Sequence, residues 1–300
     1  MLCFRCNLPA QLIRSKDLSK VCKKCFINIF EEEIHQTILE SKMFVSGEKI
    51  CVAVSGGKDS TVLLHVINIL NERHSYNIDL LLLSADEGIK NYREFSLEKV
   101  YEAQKDTNLE MKVVEYKKEF GYTMDEIVKK VGVRNSCTYC GMLRRQALNI
   151  GSADLETKKI LMGHNADDLA ETVLMNILRG DTNKLRRCTN IILSGTLNTP
   201  FRCRPLKYAY EKEIVMYAFY KKLNYFSEEC TYAKESFRGE VRVFLKELEK
   251  IRPSIYLDLI RTGEYFEKSV DTVKSCCTVC GDTSNVSICK RCVWVETIKK

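Results

Sequence analysis

A short apolar run, CVAV at 51–54, passes straight into SGGKDS at 55–60 and then into TVLLHVINIL. Gly56 and Gly57 lack Cβ atoms, so the backbone can turn sharply there and approach a ligand closely. Ser55 and Ser60 add hydroxyls. The free N–H groups and positive dipole end of a helix opening here favour an anion. Four or five donors then converge on one point, which suits a phosphate. A Walker A loop has four residues between its first glycine and its Gly-Lys. Here the glycines are adjacent, which excludes a standard P-loop ATPase. The competing reading is a strand-to-helix turn that merely uses glycine.

The surrounding pattern predicts the class of fold. Candidate strands KICVAV (49–54), DLLLLS (79–84), MKVVEY (111–116) and KKILMG (158–163) alternate with helical patterns near 59–73, 92–107, 123–131, 141–151 and 166–179. Apolar strands separated by helices predict an α/β fold with a doubly wound parallel sheet covered on both faces. Ligands of such sheets bind at the carboxyl ends of the strands. Helical spacing also predicts helices at 27–44, 211–223 and 238–250.

The chain has 15 cysteines, an odd number. MLCFRCNLPA lacks the basic start and apolar run of a signal peptide. No apolar stretch reaches the ~18 residues of a membrane span. The thiols are therefore expected to stay reduced and to serve metals and catalysis. Cys3, Cys6, Cys22 and Cys25 form two C-x2-C pairs, as do Cys277, Cys280, Cys289 and Cys292. Each set can surround one Zn²⁺ and leaves no open position, which marks a structural site. Units this short need the metal to fold. Cys276 is a spare beside the second set, and the two-residue spacing favours Cys277. RNA binding through these knuckles is a secondary reading. The expected organisation is a zinc unit at 1–30, a linking helix at 31–48, a nucleotide-binding domain at 49–265 and a second zinc unit at 270–300.

Cys137 and Cys140, in NSCTYCGMLRR, have no second pair nearby. They are expected between a predicted helix and a basic one, at the carboxyl edge of the sheet. Cys51 sits in a core strand, where cysteine is commonly inert. Cys230 follows a helix in a polar loop. A third zinc site, an unseen fourth ligand and a persulfide on Cys137 or Cys140 resolved by Cys230 are all open readings of these residues.

Net charge is +7. Residues 179–222 hold ten Lys/Arg and three acids, a difference of seven, so this segment carries the whole excess. Pro200 and Pro205 around Arg202 and Arg204 suggest a basic loop that could hold a polyanion, against the alternative of an ordinary solvated surface.

SGGKDS resembles the PP-loop of ATP pyrophosphatases, which cleave ATP between its α- and β-phosphates. That resemblance implies that residues 55–60, with Ser55, Gly56, Gly57, Asp59 and Ser60, hold the departing pyrophosphate. GHNADDLAET (163–172) is a second feature of this kind. Asn165 and Asp168 can simply cap a helix. Alternatively, Gly163 lets nucleotide approach and Asp168 orients Mg²⁺ or takes a proton. AVSGGKDST, NSCTYCGMLRRQAL, GHNADDLAETVLMNILRGD, LRRC, RCRPLKYAYEKEIV and EECTY together resemble the cytoplasmic tRNA 2-thiolation protein 1 family, related to the two-thiouridine synthetases of the TtuA group. The resemblance covers nearly the whole chain. It implies a [4Fe-4S] cluster on Cys137, Cys140 and Cys230, with one iron left open for sulfur. It places Arg144 where the bacterial relatives have a catalytic lysine. Arginine stays protonated, so ATP binding is expected of it instead of proton transfer. Ala53, Val54, Ser84 and Ala85 are expected near adenine or ribose.

The implied reaction adenylates the C2 oxygen of the tRNA wobble uridine and replaces it with sulfur. Implied partners are tRNA, a thiocarboxylated ubiquitin-related modifier as sulfur donor, and a homologous subunit or second copy, in the cytoplasm and without a membrane. Alternatives are thiolation of cytidine or another uridine, ligation of an amine to a base, and a zinc-bearing tRNA-binding scaffold without catalysis.

Overall fold

In the computed structural model, the described residues are all but 194, 196–198, 229, 233–236, 268–274, 282, 285 and 300; the side chains of 134, 135, 186, 267, 275, 283, 290, 291 and 297–299 also lie outside the described set. Residues 270–274 of the expected second zinc unit and the side chain of Arg186 in the basic segment therefore lie outside it.

The chain starts with a hairpin, β1 (Leu12–Ile13) and β2 (Lys20–Val21), that leads into α1 (Lys23–Glu40). The alternating part follows as β3 (Lys49–Ala53), α2 (Lys58–His74), β4 (Asp79–Asp86), α3 (Arg93–Thr107), β5 (Met111–Glu115), α4 (Tyr116–Phe120), α5 (Met124–Val131), α6 (Val133–Asp154), β6 (Lys159–Leu161) and α7 (Ala166–Leu178). Then come α8 (Thr182–Cys188), β7 (Ile192–Leu193), β8 (Phe201–Cys203), α9 (Glu211–Lys221), α10 (Phe237–Ile251) and α11 (Ile255–Glu267). A second hairpin, β9 (Ser275–Cys276) and β10 (Thr283–Ser284), and α12 (Lys290–Lys299) complete the described chain.

The central sheet has the order β5-β4-β3-β6-β8-β7 and is parallel except for the edge strand β7. Side chains on a strand alternate between faces. Ile50, Val52, Leu80 and Leu82 enter one buried cluster, with α1, α2 and α9, while Cys51, Leu81 and Leu83 enter another, with Tyr116, Ile127 and Ala147. Both faces are thus covered, which is why these strands read as continuous apolar runs. The doubly wound sheet expected from sequence is the fold observed. The winding reverses between β3 and β6, where the chain leaves β5 and returns on the other side of β3. The loops after β3 and β6 flank the crevice this opens, the usual place for a ligand in such sheets. Among the described residues no helix is long and apolar enough to cross a membrane.

Two expectations change. Cys137 and Cys140 do not lie between helices; they are inside α6, which spans 22 residues. The basic segment is not a loop: it forms α8, β7, β8 and α9. Pro200 and Pro205 flank the short strand β8, where a missing N–H is tolerated.

Candidate active site

The glycine turn has the conformation its composition suggested. Gly56 has φ +80°, and a Cβ on it would land on the carbonyl oxygen of Ser96 in α3. Gly57 is the N-cap of α2 and supplies no side-chain cap, so the first N–H groups of that helix keep their donor capacity for a ligand. Ser55 N–H donates to Ser60 Oγ at 3.1 Å, and Ser60 Oγ donates to the Gly57 carbonyl at 3.0 Å. The turn is thereby closed on itself before any anion arrives.

The turn after β6 packs directly on it. A Cβ at Gly163 would come to 3.1 Å from Ser60 N, so glycine sets this approach. Asn165 Oδ1 accepts from Asp168 N at 3.0 Å, and Asp168 Oδ2 accepts from Asn165 N at 3.3 Å, a capping box that opens α7. Asn165 Nδ2 also donates to Asp59 Oδ1 at 3.0 Å, which ties the two turns together. The cleft above them has a volume of about 430 Å³ and is lined by Ser55, Gly57, Lys58, Asp59, Tyr92, Asp168, Glu171 and Glu211 among others.

Acidic groups crowd this cleft. Burial pushes the Asp59 carboxyl up; Lys58 opposes this and Asp168 adds to it. Burial likewise lifts the neighbouring Asp167 to about 7, although it accepts a backbone hydrogen bond from Glu211 N at 2.8 Å. Burial works against the Lys58 ammonium, but Asp59 at 3.1 Å and Glu211 at 2.8 Å outweigh it. A divalent cation beside Asp59 and Asp168 would offset the repulsion that Asp168 adds to the rise at Asp59.

The cysteine pair occupies the adjacent part of the same rim. Cys137 and Cys140 are three residues apart on α6 and so share a face. Cys137 Sγ lies 3.7 Å from the Tyr232 carbonyl oxygen, and the Tyr116 hydroxyl donates to the Cys140 carbonyl at 3.0 Å. Burial pushes the Cys230 thiol up, and the nearby Cys137 pushes it further. Cys140 moves up to about 11 by burial, with Arg144 opposing and Glu87 and Cys230 adding. Cys230 is thus near enough to feel Cys137 and to be felt by Cys140. Among the described residues, however, only the two terminal quartets bring three or more ligand atoms within 4.8 Å of each other. A third zinc needs such closeness; a group larger than a single ion does not.

One segment joins the cysteine set to the glycine turn. Phe226 N–H donates to the Gly56 carbonyl at 2.8 Å, and Phe226 forms a parallel bridge with Gly57. Tyr225, Phe226, Ser227 and Glu228 line the cleft, and Cys230 lies two residues beyond. Tyr92 closes the gap from the other side, with its ring 5.4 Å from that of Phe226.

Arg144 is not among the residues lining the cleft. It donates through Nε to Glu87 Oε1 at 2.9 Å and through Nη2 to Cys140 Sγ at 3.5 Å. Ala53 ends β3 and Val54 follows it, with the Val54 N–H donating to Leu83 O at 2.9 Å. Ser84 and Ala85 are buried, and the Ser84 hydroxyl accepts from Arg93. Sequence reading missed Lys58, although it stands inside SGGKDS. It also missed Tyr92, Glu87, Arg93, Glu171, Glu211, Phe226 and Arg242, whose places depend on tertiary packing.

The terminal quartets are compact. Cys6 and Cys22 sulfurs are 3.6 Å apart, Cys280 and Cys289 3.7 Å, and Cys277 and Cys292 3.8 Å. Four thiolates at ≈ 2.3 Å from a tetrahedral zinc would stand about 3.8 Å apart. The second quartet contains Cys277 and not Cys276. Cys289 N–H donates to Cys277 Sγ at 3.2 Å and brings that thiol down to about 6 against burial. The first quartet is built into the core and the second unit reaches the site. Cys3, Cys22 and Cys25 belong to the main buried cluster, while Trp294 of α12 sits 4.9 Å from the ring of Tyr139, between the two site cysteines.

Much of the basic segment's charge is spent internally. Lys207 pairs with Glu264 at 2.6 Å, Lys212 with Glu249 at 2.7 Å and Lys221 with Glu31 at 3.1 Å. Arg204 donates to the carbonyls of Cys188 and Asn190. At His164, burial of the ring and then Arg204, Arg238, Arg144 and Arg145 push the imidazole down to about 3, although Arg238 and Arg144 are themselves paired with Glu171 and Glu87.

Three comparisons bear on this site. The PP-loop domain family model matches residues 27–248. The chain is similar to cytoplasmic tRNA 2-thiolation protein 1 of Xenopus laevis, 53% identical over 294 residues that cover 97% of this chain and 86% of the relative. With the protein of that name from Arabidopsis thaliana it shares 50% identity over 303 residues, 100% of this chain and 85% of the relative. Among solved structures, the U34-tRNA thiolase NcsA from Methanococcus maripaludis, with its [4Fe-4S] cluster, matches with a TM-score of 0.86 at 29% identity, over 99% of this chain and 96% of that one.

Proposed function

The chain belongs to the cytoplasmic tRNA 2-thiolation protein 1 family of PP-loop proteins, and on that premise we propose that it is an ATP-dependent tRNA 2-thiouridine synthase acting on the wobble uridine in the cytoplasm. The observation that carries this reading is the short path from Gly56 and Gly57 through Phe226 to Cys230. Nucleotide activation and sulfur delivery then share one rim of the sheet.

The C2 oxygen of uracil is a poor leaving group because its carbonyl is amide-like. Attack of that oxygen on the α-phosphorus of ATP forms a C2–O–P bond and expels pyrophosphate. Sulfide then adds at C2, and AMP departs with the original oxygen. Residues 55–60 and the first N–H groups of α2 stabilise charge that develops on the pyrophosphate; one such preorganised donor is worth about 10²–10³ in rate elsewhere. Lys58, held protonated by Asp59 and Glu211, adds a cation at the same place. Asp59 and Asp168 would hold Mg²⁺. Cys137, Cys140 and Cys230 would hold a [4Fe-4S] cluster, whose chemistry is to carry sulfur at an iron that no protein thiolate occupies. Arg144 keeps a cation beside Cys140. The uridine has to leave its stack to reach this rim. The arginines around His164 suit the phosphates that flank it. A thiocarboxylated ubiquitin-related modifier as sulfur source, and a homologous subunit or second copy as partner, complete the proposal.

The test is turnover of anaerobically purified, iron-reconstituted protein with ATP, inorganic sulfide and a tRNA bearing U34. AMP and pyrophosphate should form only with tRNA present, and mass spectrometry of the digested tRNA should find 2-thiouridine at position 34. ADP as product, or AMP formed without any change in the tRNA, would defeat the reading.

The terminal quartets are proposed as structural zinc sites. Because Cys22 caps α1 and Phe26 of that helix lies in the main core, stripping zinc should lower the stability of the whole domain. Calorimetry before and after chelation should find a Tm fall of at least about 5 °C, since ~1 kcal/mol alone moves a domain of this size by ≈ 2–4 °C. An unchanged main transition would mean that the quartets fold independently.

A further inference from the structure

Glu87 follows the last residue of β4, is only 5% exposed and has no part in the chemistry outlined above. Its carboxylate is gripped from two sides. Oε1 accepts from Arg144 Nε at 2.9 Å, and the same arginine reaches Cys140 Sγ at 3.5 Å. Oε2 lies 3.2 Å from Arg93 Nε. Arg93 is 3% exposed, and its Nη1 donates to the Ser55 carbonyl at 3.1 Å and to Ser96 Oγ at 2.9 Å. The path from the glycine turn to the sulfur site is therefore a series of short polar contacts: Ser55 O, Arg93, Glu87, Arg144, Cys140.

We infer that Glu87 is a positioning residue that holds the nucleotide turn and the cysteine site in register through Arg93 and Arg144, so that occupancy of the turn is felt at Cys140. This rests on the nucleotide reading above and adds to it a role for a residue that touches neither nucleotide nor sulfur.

The two halves of the grip differ. The Arg144 side is a directed hydrogen bond. On the Arg93 side, Glu87 Oε2 and Arg93 Nε are both buried and neither makes a well-aligned hydrogen bond, so their 3.2 Å contact is held by charge and can change its geometry at little cost. The Glu87 backbone itself is fixed, because Met124 N–H donates to its carbonyl at 2.7 Å. A phosphate seated in the turn pulls on the N–H groups beside Ser55. Any resulting shift in the Ser55 carbonyl is passed to Arg93, and the carboxylate is the only charged group in this path that both arginines share.

The test uses the full-length, zinc-bearing, iron-free chain and the non-hydrolysable analogue AMPCPP. Two quantities are measured: the AMPCPP dissociation constant, and the rate at which iodoacetamide alkylates Cys140, followed by mass spectrometry. In the native chain AMPCPP should change the alkylation rate at least threefold. Glu87→Gln should bind AMPCPP within threefold of native yet lose that response. Glu87→Asp, which keeps the charge but is too short to reach both arginines, should behave like Glu87→Gln and serves if the glutamine variant folds poorly. A response retained in both variants overturns the inference, and so does a native chain that binds AMPCPP without any change at Cys140. A tenfold loss of AMPCPP affinity in both variants also overturns it, by making Glu87 part of the nucleotide site. A native chain that fails to bind AMPCPP overturns the nucleotide reading itself.

Discussion

Cys140→Ala should leave ATP binding within about threefold of native and reduce 2-thiouridine formation by at least about 100-fold, since loss of even an outer partner of a metal ligand typically costs 10–100-fold. The separation follows from geometry. Cys140 lies on α6 and is absent from the lining of the nucleotide cleft. Its contacts with the rest of the site run through the Arg144 guanidinium and the Tyr116 hydroxyl, and the latter bonds the backbone carbonyl that alanine keeps. The fold should tolerate the change, because the side chain is small and only partly buried; a Tm shift of a few degrees corresponds to about 1 kcal/mol. Isothermal titration with AMPCPP, metal analysis of anaerobic protein and quantification of thiolated tRNA check the three parts. Iron content should fall while zinc stays. A parallel collapse of AMPCPP binding would make the cysteine pair a structural element of the nucleotide domain.

The parts of this site that were legible from sequence are those whose function dictates residue type locally. SGGKDS after an apolar run could be read because a turn with positive φ at Gly56 and a helix opening at Gly57 require those residues there, whatever surrounds them. The terminal quartets could be read for the same reason, since a tetrahedral metal site would fix both ligand type and spacing. The helical setting of Cys137 and Cys140 was hidden because NSCTYCG carries no apolar period and Gly141 imitates a break; α6 forms anyway, with Leu143, Ala147 and Leu148 packed in the core. Summing charge along 179–222 misled for a related reason. A sum does not know that Lys207, Lys212 and Lys221 each find an acid from another element. Glu87 and Arg93 were least legible. Nothing in DEGIKNYREF distinguishes a charge that will be buried from one left in water. Only the seating of α3 against the glycine turn decides it.

That seating gives the last expected result its size. Gly56→Ala should lower ATP affinity more than about 100-fold, equivalent to about 2.7 kcal/mol, and should also cost stability. Two independent effects act at this position. Alanine at φ +80° carries a left-handed strain of about 1–2 kcal/mol. Its Cβ would also meet the Ser96 carbonyl of α3, and that contact is relieved only by moving backbone. Whichever side moves, the nucleotide turn loses its alignment. If the turn moves, the N–H groups at the start of α2 no longer converge. If α3 moves, it carries away Arg93, which holds the Ser55 carbonyl, and Tyr92, which lines the cleft. Gly57→Ala is the internal control. Its φ of −83° suits any residue, and a Cβ there would come to an ordinary 3.5 Å from Ser55 Oγ. It should fold as well as native and lose affinity only to the extent that its methyl group intrudes on bound phosphate. Equal stability loss in the two variants would mean that the clash with α3 is not what fixes the turn.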